Sequence, residues 1–358
     1  MKTRVNNLIN HMPQDFEAAL VKTEENRFYV LDFDTGDAGT VLILKDKTYF
    51  IIDSRYIEIC SNEIKTAEII LEDKALEQVH RLLQENGIKK LYMENKISVA
   101  FADKVKAEMQ DVELDLTSTL SDTLDVCRMV KDAAEIANIR AAQKITDMGF
   151  THMLKTIKPG MSEIELAREL DFFMLTHGAT KLAFDTILVS GPNTSLPHGV
   201  PGERKIQAGD FVTMDFGANV NGYCSDMTRT IAVGHATEEM KQVYGTVLKA
   251  QLAVAKSVKG GMKGNEVDKI ARDIIYEAGY EGHFGHGLGH SLGIEIHEDP
   301  RFSPMCEKII PAGTVMTNEP GIYLAGKFGV RIEDTLALTE SGCEIFATSD
   351  KNLIILDV

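Results

Sequence analysis

The sequence predicts an α/β (α+β) protein with a smaller first domain at residues 1–122 and a larger, internally duplicated second domain at residues 123–358. Three observations support this fold class. The 358 residues exceed one average domain, short β-branched segments alternate with helix-like segments before about residue 120, and several motifs recur later in the same order. With 44% hydrophobic and 26% charged residues, the chain can bury a sizeable core, which excludes wholesale disorder.

The first domain is predicted to contain a sheet accompanied by helices. Thr40–Leu44 and Thr48–Ile52 are β-branched segments on either side of a charged turn, which predicts a hairpin. Apolar residues at helical spacing predict a helix over Ala75–Asn86 that stops at Gly87, and Lys90–Glu94 follows as another strand.

A polar stretch at residues 117–122 is the predicted domain boundary. Beyond it, Asp132 and Glu135 have the spacing of a capping box, in which each residue satisfies a backbone N–H group of the first helical turn. The sequence therefore predicts that a long amphipathic helix begins here and runs to about Ile157.

The second domain repeats itself. Segments of its first half recur in the second half at offsets of 101 or 104 residues: 158–161 with 259–262, 208–209 with 312–313, and 212–217 with 316–321. Each half therefore predicts two helices, a loop and a strand that ends in a carboxylate, related by a pseudo-twofold. An interface between duplicated halves is a natural location for a ligand site.

Composition excludes several classes of protein. Lys and Arg total 38 and Asp and Glu total 54, which gives a net charge of −16 and argues against a nucleic-acid-binding or anionic-membrane protein. No apolar run approaches the roughly 18 residues of a membrane span. Five widely spaced cysteines argue against a disulfide framework. A cytoplasmic location is therefore expected.

One pair of aspartates indicates a cation site. Phe211–Phe216 and Tyr223–Val233 are predicted as antiparallel strands, and the turn between them would place Asp215 nearly opposite Asp226. Like charges across a sheet repel each other, and the cost rises on burial unless a cation neutralises them. A solvated sheet edge is the structural alternative.

The second half offers a matching pair of glutamates. Glu319 holds the repeat position of Asp215, and Glu333 follows the segment predicted to be the returning strand. If the repeat brings the two pairs together, four negative charges face one another and two divalent cations would balance them.

Four of the ten histidines lie in one glycine-containing segment: His283, His286, His290 and His297. Two glycines between His286 and His290 disfavour the helix that a zinc motif at this spacing requires, so we predict a loop that approaches a metal or substrate closely. His198, in a separate loop, is by itself an ordinary loop histidine. No GxSxG string or recognised Cys–His signature supports a serine or cysteine nucleophile.

In this order, Asp215, Asp226, His290, Glu319 and Glu333 resemble the five-ligand signature of the pita-bread metallopeptidases. Motifs similar to those of aminopeptidase P and prolidase lie at residues 213–217, 225–229, 286–290, 297–298, 318–321 and 330–334. The resemblance covers essentially the whole chain, because the first part, including residues 53–56, resembles the creatinase-type domain of these enzymes. Residues 33–39 depart from the usual hydroxyl-rich version of that domain.

The resemblance implies a pita-bread catalytic domain that binds two divalent metal ions. Asp215 would bind one ion, His290 and Glu319 would bind the other, and Asp226 and Glu333 would bridge the two. Four carboxylates and one imidazole form an oxygen-rich ligand set that suits Mn²⁺, although Co²⁺ or Zn²⁺ would bind more tightly by affinity alone.

The resemblance also implies roles in catalysis. Glu319 would carry a proton from the attacking water toward the proline nitrogen, and His198 and His297 would steady the substrate and the tetrahedral intermediate. Arg331 would either orient a metal ligand or meet a substrate carboxylate.

These features imply a homodimeric exopeptidase that hydrolyses the Xaa-Pro bond at the N-terminus of short proline-containing peptides. An Xaa-Pro aminopeptidase is narrowly favoured over an Xaa-Pro dipeptidase (prolidase). A creatinase-like amidinohydrolase is a further alternative, and a non-catalytic pita-bread binding module is the alternative from a different class. Metal-dependent turnover of a proline peptide separates the enzyme from the binding module.

Overall fold

The computed structural model describes residues 2–358, and the chain divides into two compact units between Arg128 and Met129. The boundary predicted at residue 122 lies inside a helix, Thr119–Met129, that crosses this division. Within residues 2–358, no helix combines the length and the apolar character that a membrane span requires.

The first unit is built on a mixed six-stranded sheet. Its elements are α1 (Lys2–His11), β1 (Ala18–Val21), α2 (Glu24–Leu31), β2 (Thr40–Leu44), β3 (Thr48–Ile52), α3 (Ile57–Glu63), β4 (Glu68–Leu71), α4 (Ala75–Glu85), β5 (Lys90–Met93), α5 (Val99–Glu108), β6 (Glu113–Asp115) and α6 (Thr119–Met129). The strand order is β4-β3-β2-β1-β5-β6, in which β2 runs antiparallel to β1 and β3. The predicted hairpin is confirmed as β2 and β3, and α4 and β5 confirm the helix and strand predicted after it.

The second unit contains two halves, each of which begins with two helices. The first half comprises α7 (Ala133–Thr156), α8 (Glu163–Thr176), β7 (Lys181–Leu182), β8 (Ile187–Ser190), a 3₁₀ turn (Gly191–Ser195), β9 (Phe211–Phe216), β10 (Ala218–Val220), β11 (Tyr223–Cys224) and β12 (Met227–Val233). The capping box predicted at Asp132 and Glu135 is confirmed at the start of α7.

The second half continues with another pair of helices and a longer series of strands. It comprises α9 (Glu238–Ser257), α10 (Gly264–Glu277), β13 (Gly289–Ser291), β14 (Glu298–Phe302), β15 (Val315–Asn318), β16 (Gly321–Leu324), β17 (Phe328–Arg331), β18 (Asp334–Leu338), β19 (Cys343–Ile345) and β20 (Ile355–Leu356). The main sheets have the orders β20-β12-β9-β8 and β14-β13-β15-β18-β19. Helices α7 and α8 pack on the first sheet around one apolar core, and α9 and α10 pack on the second around another.

The predicted duplication is visible in the backbone. Gly160 and Gly261, which are 101 residues apart, both have a φ of +89°, a left-handed conformation that glycine adopts without strain. The N–H of Gly160 donates to the carbonyl of Ile206 at 2.9 Å, and the N–H of Gly261 donates to that of Ile310 at 2.8 Å. The same hydrogen bond therefore closes the same turn in both halves.

The hairpin around the two aspartates differs from the prediction. Strands β9 and β12 pair antiparallel, but Asp215 lies opposite Thr228, and Asp226 immediately precedes β12. The predicted register is wrong by two residues because part of the intervening chain leaves this ladder and forms β10 and β11 in a separate sheet. A shift of two residues keeps a side chain on the same face of a strand, so both carboxylates still reach one cavity.

Candidate metal centre and active site

A cavity of about 380 Å³ in the second unit brings together the residues to which the family resemblance assigns a role, whereas His283 of the histidine cluster does not line it. Those that line it are His198, Asp215, Asp226, His290, His297, Glu319, Arg331 and Glu333. Two of the four carboxylates come from each half of the duplication, so the cavity lies where the two halves meet.

The first-half carboxylates are held by their strands. Asp215 is the next-to-last residue of β9, and its Oδ2 atom accepts a hydrogen bond from Nη2 of Arg331 at 2.6 Å. Asp226 is only 4% exposed, and its backbone carbonyl accepts from the hydroxyl of Thr335 at 2.8 Å. The Asp215 carboxylate is therefore held by a side chain of the second half, and the buried Asp226 is held through its backbone.

The second-half carboxylates are each oriented by a threonine hydroxyl. Glu319 follows β15, and its Oε1 atom accepts from Oγ1 of Thr317 at 3.0 Å. Glu333 lies between β17 and β18 and is 1% exposed. Its Oε2 atom accepts from Oγ1 of Thr228 at 2.6 Å, which joins this residue to the first-half strand β12.

Three carboxylate oxygens in the cavity are buried and accept no hydrogen bond from residues 2–358: Asp215 Oδ1, Asp226 Oδ1 and Glu333 Oε1. Burying a carboxylate oxygen without a donor is costly unless a cation balances it. Asp226, His290 and Glu333 each place one ligand atom within 4.8 Å of the others. This ligand set fits divalent metal ions that prefer oxygen and imidazole.

His290 presents a bare nitrogen to this cluster. Its Nδ1 atom lies 3.1 Å from the carbonyl oxygen of Ser291, a contact that assigns the ring proton to Nδ1. Burial lowers the pKa of His290 to about 3, so the ring is neutral and Nε2 carries a lone pair. Nε2 lies 3.6 Å from Oδ2 of Asp226 and 3.4 Å from Oε1 of Glu319. These atoms all carry lone pairs and repel one another, and a metal ion bound between them would remove the repulsion.

Mutual repulsion and burial raise the pKa values of the cluster. Burial, followed by the charge of Glu333, raises the pKa of Asp226 well above its usual value. Burial, followed by the charge of Glu319, does the same for the pKa of Glu333. Burial also raises the pKa of Glu319 to about 8. A bound divalent cation favours the ionised carboxylates, so metal binding and proton release are linked at this site.

Arg331 lies at the end of β17 with 3% of its surface exposed. Besides Asp215, its guanidinium donates to the hydroxyl of Tyr323 at 2.8 Å and to the hydroxyl of Thr228 at 3.0 Å. Burial opposes its charge, but Tyr323 and the surrounding carboxylates raise the pKa of Arg331 above its usual value. These contacts hold the guanidinium against Asp215, one of the carboxylates that the family resemblance names as a metal ligand.

The histidines outside the ligand set occupy different environments. The ring of His297 packs edge-on against that of His290, with centroids 4.5 Å apart, and burial followed by the charge of Arg301 lowers the pKa of His297. His198 is exposed at the cavity wall. His286 also lines the cavity, and burial lowers its pKa to about 4.

Several cavity residues carried no clear signal in the sequence. Phe184, Ile187 and Ile296 form apolar parts of the wall, and an isolated Phe or Ile in a sequence is more typical of a core. Arg301 lines the cavity from β14, where it pairs with His290 across the sheet. Its position soon after the histidine cluster was the one hint available.

A buried ion pair supports the segment between His290 and His297. Nζ of Lys131 lies 3.0 Å from Oε2 of Glu298, with the two side chains 1% and 6% exposed. The same ammonium donates to the hydroxyl of Ser291 at 3.2 Å. Ser291 follows His290 and Glu298 follows His297, so the pair fixes both ends of this segment.

Family models match both units of the chain. Residues 137–340 match metallopeptidase family M24, and residues 4–130 match the creatinase/prolidase N-terminal domain.

Individual relatives match over nearly their whole length. The chain is similar to the solved structure of an Xaa-Pro dipeptidase from Bacillus anthracis, with 41% identity, a TM-score of 0.94 and 99% of each chain covered. The X-Pro aminopeptidase from Thermotoga maritima is 34% identical with a TM-score of 0.89, and the match covers 95% of this chain and 97% of that one. An Xaa-Pro dipeptidase from Pyrococcus horikoshii is 35% identical over 99% of both chains. The chain therefore belongs to metallopeptidase family M24, with a pita-bread catalytic domain preceded by a creatinase/prolidase N-terminal domain.

Proposed function

We propose that this protein is an Xaa-Pro dipeptidase, which hydrolyses dipeptides that end in proline. The observation that carries the proposal is one cavity that combines the carboxylate cluster, an apolar wall and the guanidinium of Arg301. An Xaa-Pro dipeptide offers a matching set of groups: a scissile amide, an apolar pyrrolidine ring and a free carboxylate.

Arg301 is the cavity cation with capacity for a ligand. Arg331 is buried and donates to Asp215, whereas the Arg301 side chain is 49% exposed and its Nε atom lies 3.9 Å from Oδ1 of Asp299. A guanidinium binds a carboxylate through two parallel hydrogen bonds, and this geometry suits the C-terminus of a dipeptide. Phe184 and Ile187 would contact the proline ring.

The similarities to known proteins support the dipeptidase over the aminopeptidase that the sequence narrowly favoured. The dipeptidase from B. anthracis matches at higher identity and TM-score than the aminopeptidase from T. maritima.

The proposal is tested by incubating metal-stripped protein, resupplied with Mn²⁺, with Ala-Pro and with Ala-Pro-Ala, and identifying each product. Hydrolysis of Ala-Pro to alanine and proline, with the tripeptide left intact, is the expected result. Release of alanine from Ala-Pro-Ala would instead establish an aminopeptidase. No cleavage of either peptide by metal-loaded protein would favour another amide substrate or a binding module.

For the metal centre, we propose the ligand assignment given by the family resemblance: Asp215 on one ion, His290 and Glu319 on the other, and Asp226 and Glu333 on both. Two divalent ions would lower the pKa of bound water toward ~7 and polarise the scissile carbonyl. Mn²⁺ suits the oxygen-rich set. Restoration of activity to metal-stripped protein by Zn²⁺ or Co²⁺ but not by Mn²⁺ would exclude manganese.

Protein side chains would supply the remaining chemistry. Glu319, which lines the cavity and accepts a hydrogen bond from the Thr317 hydroxyl, would accept a proton from the attacking water and deliver it to the prolyl nitrogen. His198 and His297, which line the same cavity, would hold the substrate and the developing negative charge. Arg331 would keep Asp215 oriented toward the centre.

A further inference from the structure

Glu163, the first residue of α8, has a fully buried side chain that the chemistry above does not use. Its Oε1 atom accepts from the N–H of Ser190 at 2.7 Å and from the Ser190 hydroxyl at 2.8 Å. The Asn193 amide donates to both carboxylate oxygens at 3.0 and 3.2 Å, and the N–H of Gly202 donates to Oε2 at 3.2 Å. One carboxylate thus fastens both ends of residues 190–202, which we call the anchored loop.

The anchored loop forms part of the cavity wall. Pro197 and His198 line the cavity, and the carbonyl of Pro197 accepts from Nη1 of Arg331 at 3.2 Å. The N–H of Gly329 donates to Oγ1 of Thr194 at 2.8 Å, and a Cβ at Gly329 would lie 2.2 Å from the Thr194 carbonyl oxygen. The loop therefore packs directly against β17, the strand that carries Arg331.

His198 depends on this backbone for its position. Its ring is exposed and makes no hydrogen bond or ion pair with residues 2–358. A side chain without polar contacts is placed by its own backbone and rotamer. The backbone of the anchored loop is in turn fixed by the buried carboxylate of Glu163.

The carboxylate is not a requirement of the repeated fold. At the offset of 101 residues that relates α8 to α10, Glu163 corresponds to Gly264. A Cβ at Gly264 would lie 2.2 Å from the carbonyl oxygen of Arg301, so at the start of α10 the backbone packs closely where α8 has the Glu163 side chain. The duplicated unit can therefore be built without a glutamate at this point.

We infer that Glu163 is a positioning residue that holds His198 at the cavity through the anchored loop. Both carboxylate oxygens of Glu163 accept hydrogen bonds. In Glu163→Gln an NH₂ group replaces one oxygen and faces at least one of the former donors, so that hydrogen bond is lost. The effect on catalysis rests on the proposed function, because it is measured as hydrolysis of an Xaa-Pro peptide.

The first measurement does not depend on a substrate. Hydrogen exchange of Mn²⁺-loaded Glu163→Gln is expected to be faster than in the unsubstituted protein over residues 190–202 and unchanged over residues 289–298. The matched control is Glu165→Gln, the same change two residues along α8, where the carboxylate bonds Ser162 and Lys205 and not the loop. Equal exchange of the loop in Glu163→Gln and Glu165→Gln would overturn the inference.

The second measurement is a double-mutant cycle on Ala-Pro hydrolysis. Glu163→Gln is expected to lower kcat/KM by about 10- to 100-fold, and Glu165→Gln by less than about twofold. In a His198→Ala background, Glu163→Gln should cause no further loss, because residues that act as a unit are non-additive. Mn²⁺ affinity should stay within about twofold of the unsubstituted protein, since the metal ligands lie on other elements.

The outcomes separate the two proposals. Multiplicative losses from Glu163→Gln and His198→Ala, or a large fall in Mn²⁺ affinity, would overturn the positioning role. Inactivity of the unsubstituted protein on Ala-Pro would refute the proposed function, and the exchange measurement would still decide whether Glu163 holds the loop. If Glu163→Gln fails to fold, Asn193→Ala removes one donor and should show the same pattern to a smaller extent.

Discussion

Single side chains explain why the centre needs cations. Three oxygens of Asp215, Asp226 and Glu333 are buried without donors from the described residues, and the neutral His290 turns a lone pair toward further carboxylates. Divalent ions balance the charge of the four carboxylates and accept the lone pair of the imidazole nitrogen at the same time. Added protons would neutralise the carboxylates one by one without offering this shared contact. The apolar strand residues around Asp215 marked it as a candidate buried carboxylate, and the repeat pointed to Glu319 at the corresponding position. Arg301 was not predictable, since a single arginine is normally a surface residue.

Glu319→Gln should abolish turnover while keeping the fold. The substitution keeps the shape and the acceptor for the Thr317 hydroxyl but removes the proton-carrying group. We expect kcat on Ala-Pro to fall by at least about 100-fold, the usual effect of losing a general acid–base group. Steady-state kinetics with Mn²⁺ in excess, and circular dichroism as the control for folding, measure this. Near-normal turnover would remove Glu319 from proton transfer.

Arg301→Ala should weaken recognition of the dipeptide carboxylate. KM for Ala-Pro is expected to rise by about 10- to 100-fold with a smaller change in kcat, because a charged hydrogen bond contributes about 1.5–3 kcal/mol. Arg301→Lys keeps the positive charge but cannot form two parallel hydrogen bonds to a carboxylate. Its KM for Ala-Pro should therefore lie between those of the unsubstituted protein and Arg301→Ala. Alanyl-prolinamide, which has no carboxylate, serves as the control substrate. An equal loss on Ala-Pro and on the amide would contradict carboxylate binding by Arg301.

At the scale of elements, the duplication was readable from the sequence and the irregular hairpin was not. Paired glycines such as Gly160 and Gly261 mark identical left-handed turns, so a repeat of residue types reports a repeat of backbone geometry. The strand predicted at residues 223–233 is interrupted before Met227, because β10 and β11 pair outside the main ladder. Such an interruption depends on distant packing, and local propensity does not encode it. The Lys131–Glu298 pair is invisible in sequence for the same reason.

Lys131→Met should destabilise the segment between His290 and His297. The substitution removes the ammonium that balances the buried carboxylate of Glu298, whose Oε1 atom also accepts from the N–H of Ile294 at 3.0 Å. Breaking such a buried pair costs about 3–5 kcal/mol in unfolding free energy. Urea denaturation of the metal-loaded protein measures the loss. The double variant Lys131→Met/Glu298→Gln should recover part of it, and no recovery would argue against the charge explanation.

At the scale of the whole molecule, the centre links stability to both pH and metal. The folded metal-free protein holds protons on Asp226, Glu333 and Glu319 at pH values where the unfolded chain has released them. A raised carboxyl pKa gives stability that is complete below the unfolded pKa and is lost as pH rises through the folded value. The lowered pKa of His290 reduces the stability of the folded state as pH falls, but only below about pH 6.5, where the ring becomes charged in the unfolded chain.

Metal-free protein should therefore lose stability between about pH 6.5, above which His290 no longer contributes, and about pH 8, the folded pKa of Glu319. The loss is about 1.4 kcal/mol per pH unit for each extra proton that the folded state retains. Mn²⁺-loaded protein should be flat over this range, because its carboxylates are ionised, so the gap in Tm between the two forms should widen as pH rises. Thermal denaturation of both forms in the same buffers tests this. A gap that narrows with rising pH would contradict the raised pKa values.

The connection between β12 and α9, residues 234–237, separates the two halves of the catalytic domain and is largely exposed. Two candidate ligands lie before it and three after it, while β20 returns from the far end of the chain to pair with β12. A protease that nicked this connection would leave every ligand intact yet divide the centre between two polypeptides. Such a nicked enzyme would keep its metal for as long as the fragments stayed associated. It would lose metal and activity in one step when the fragments separated. Metal content and activity would therefore measure how much of the nicked protein remained associated.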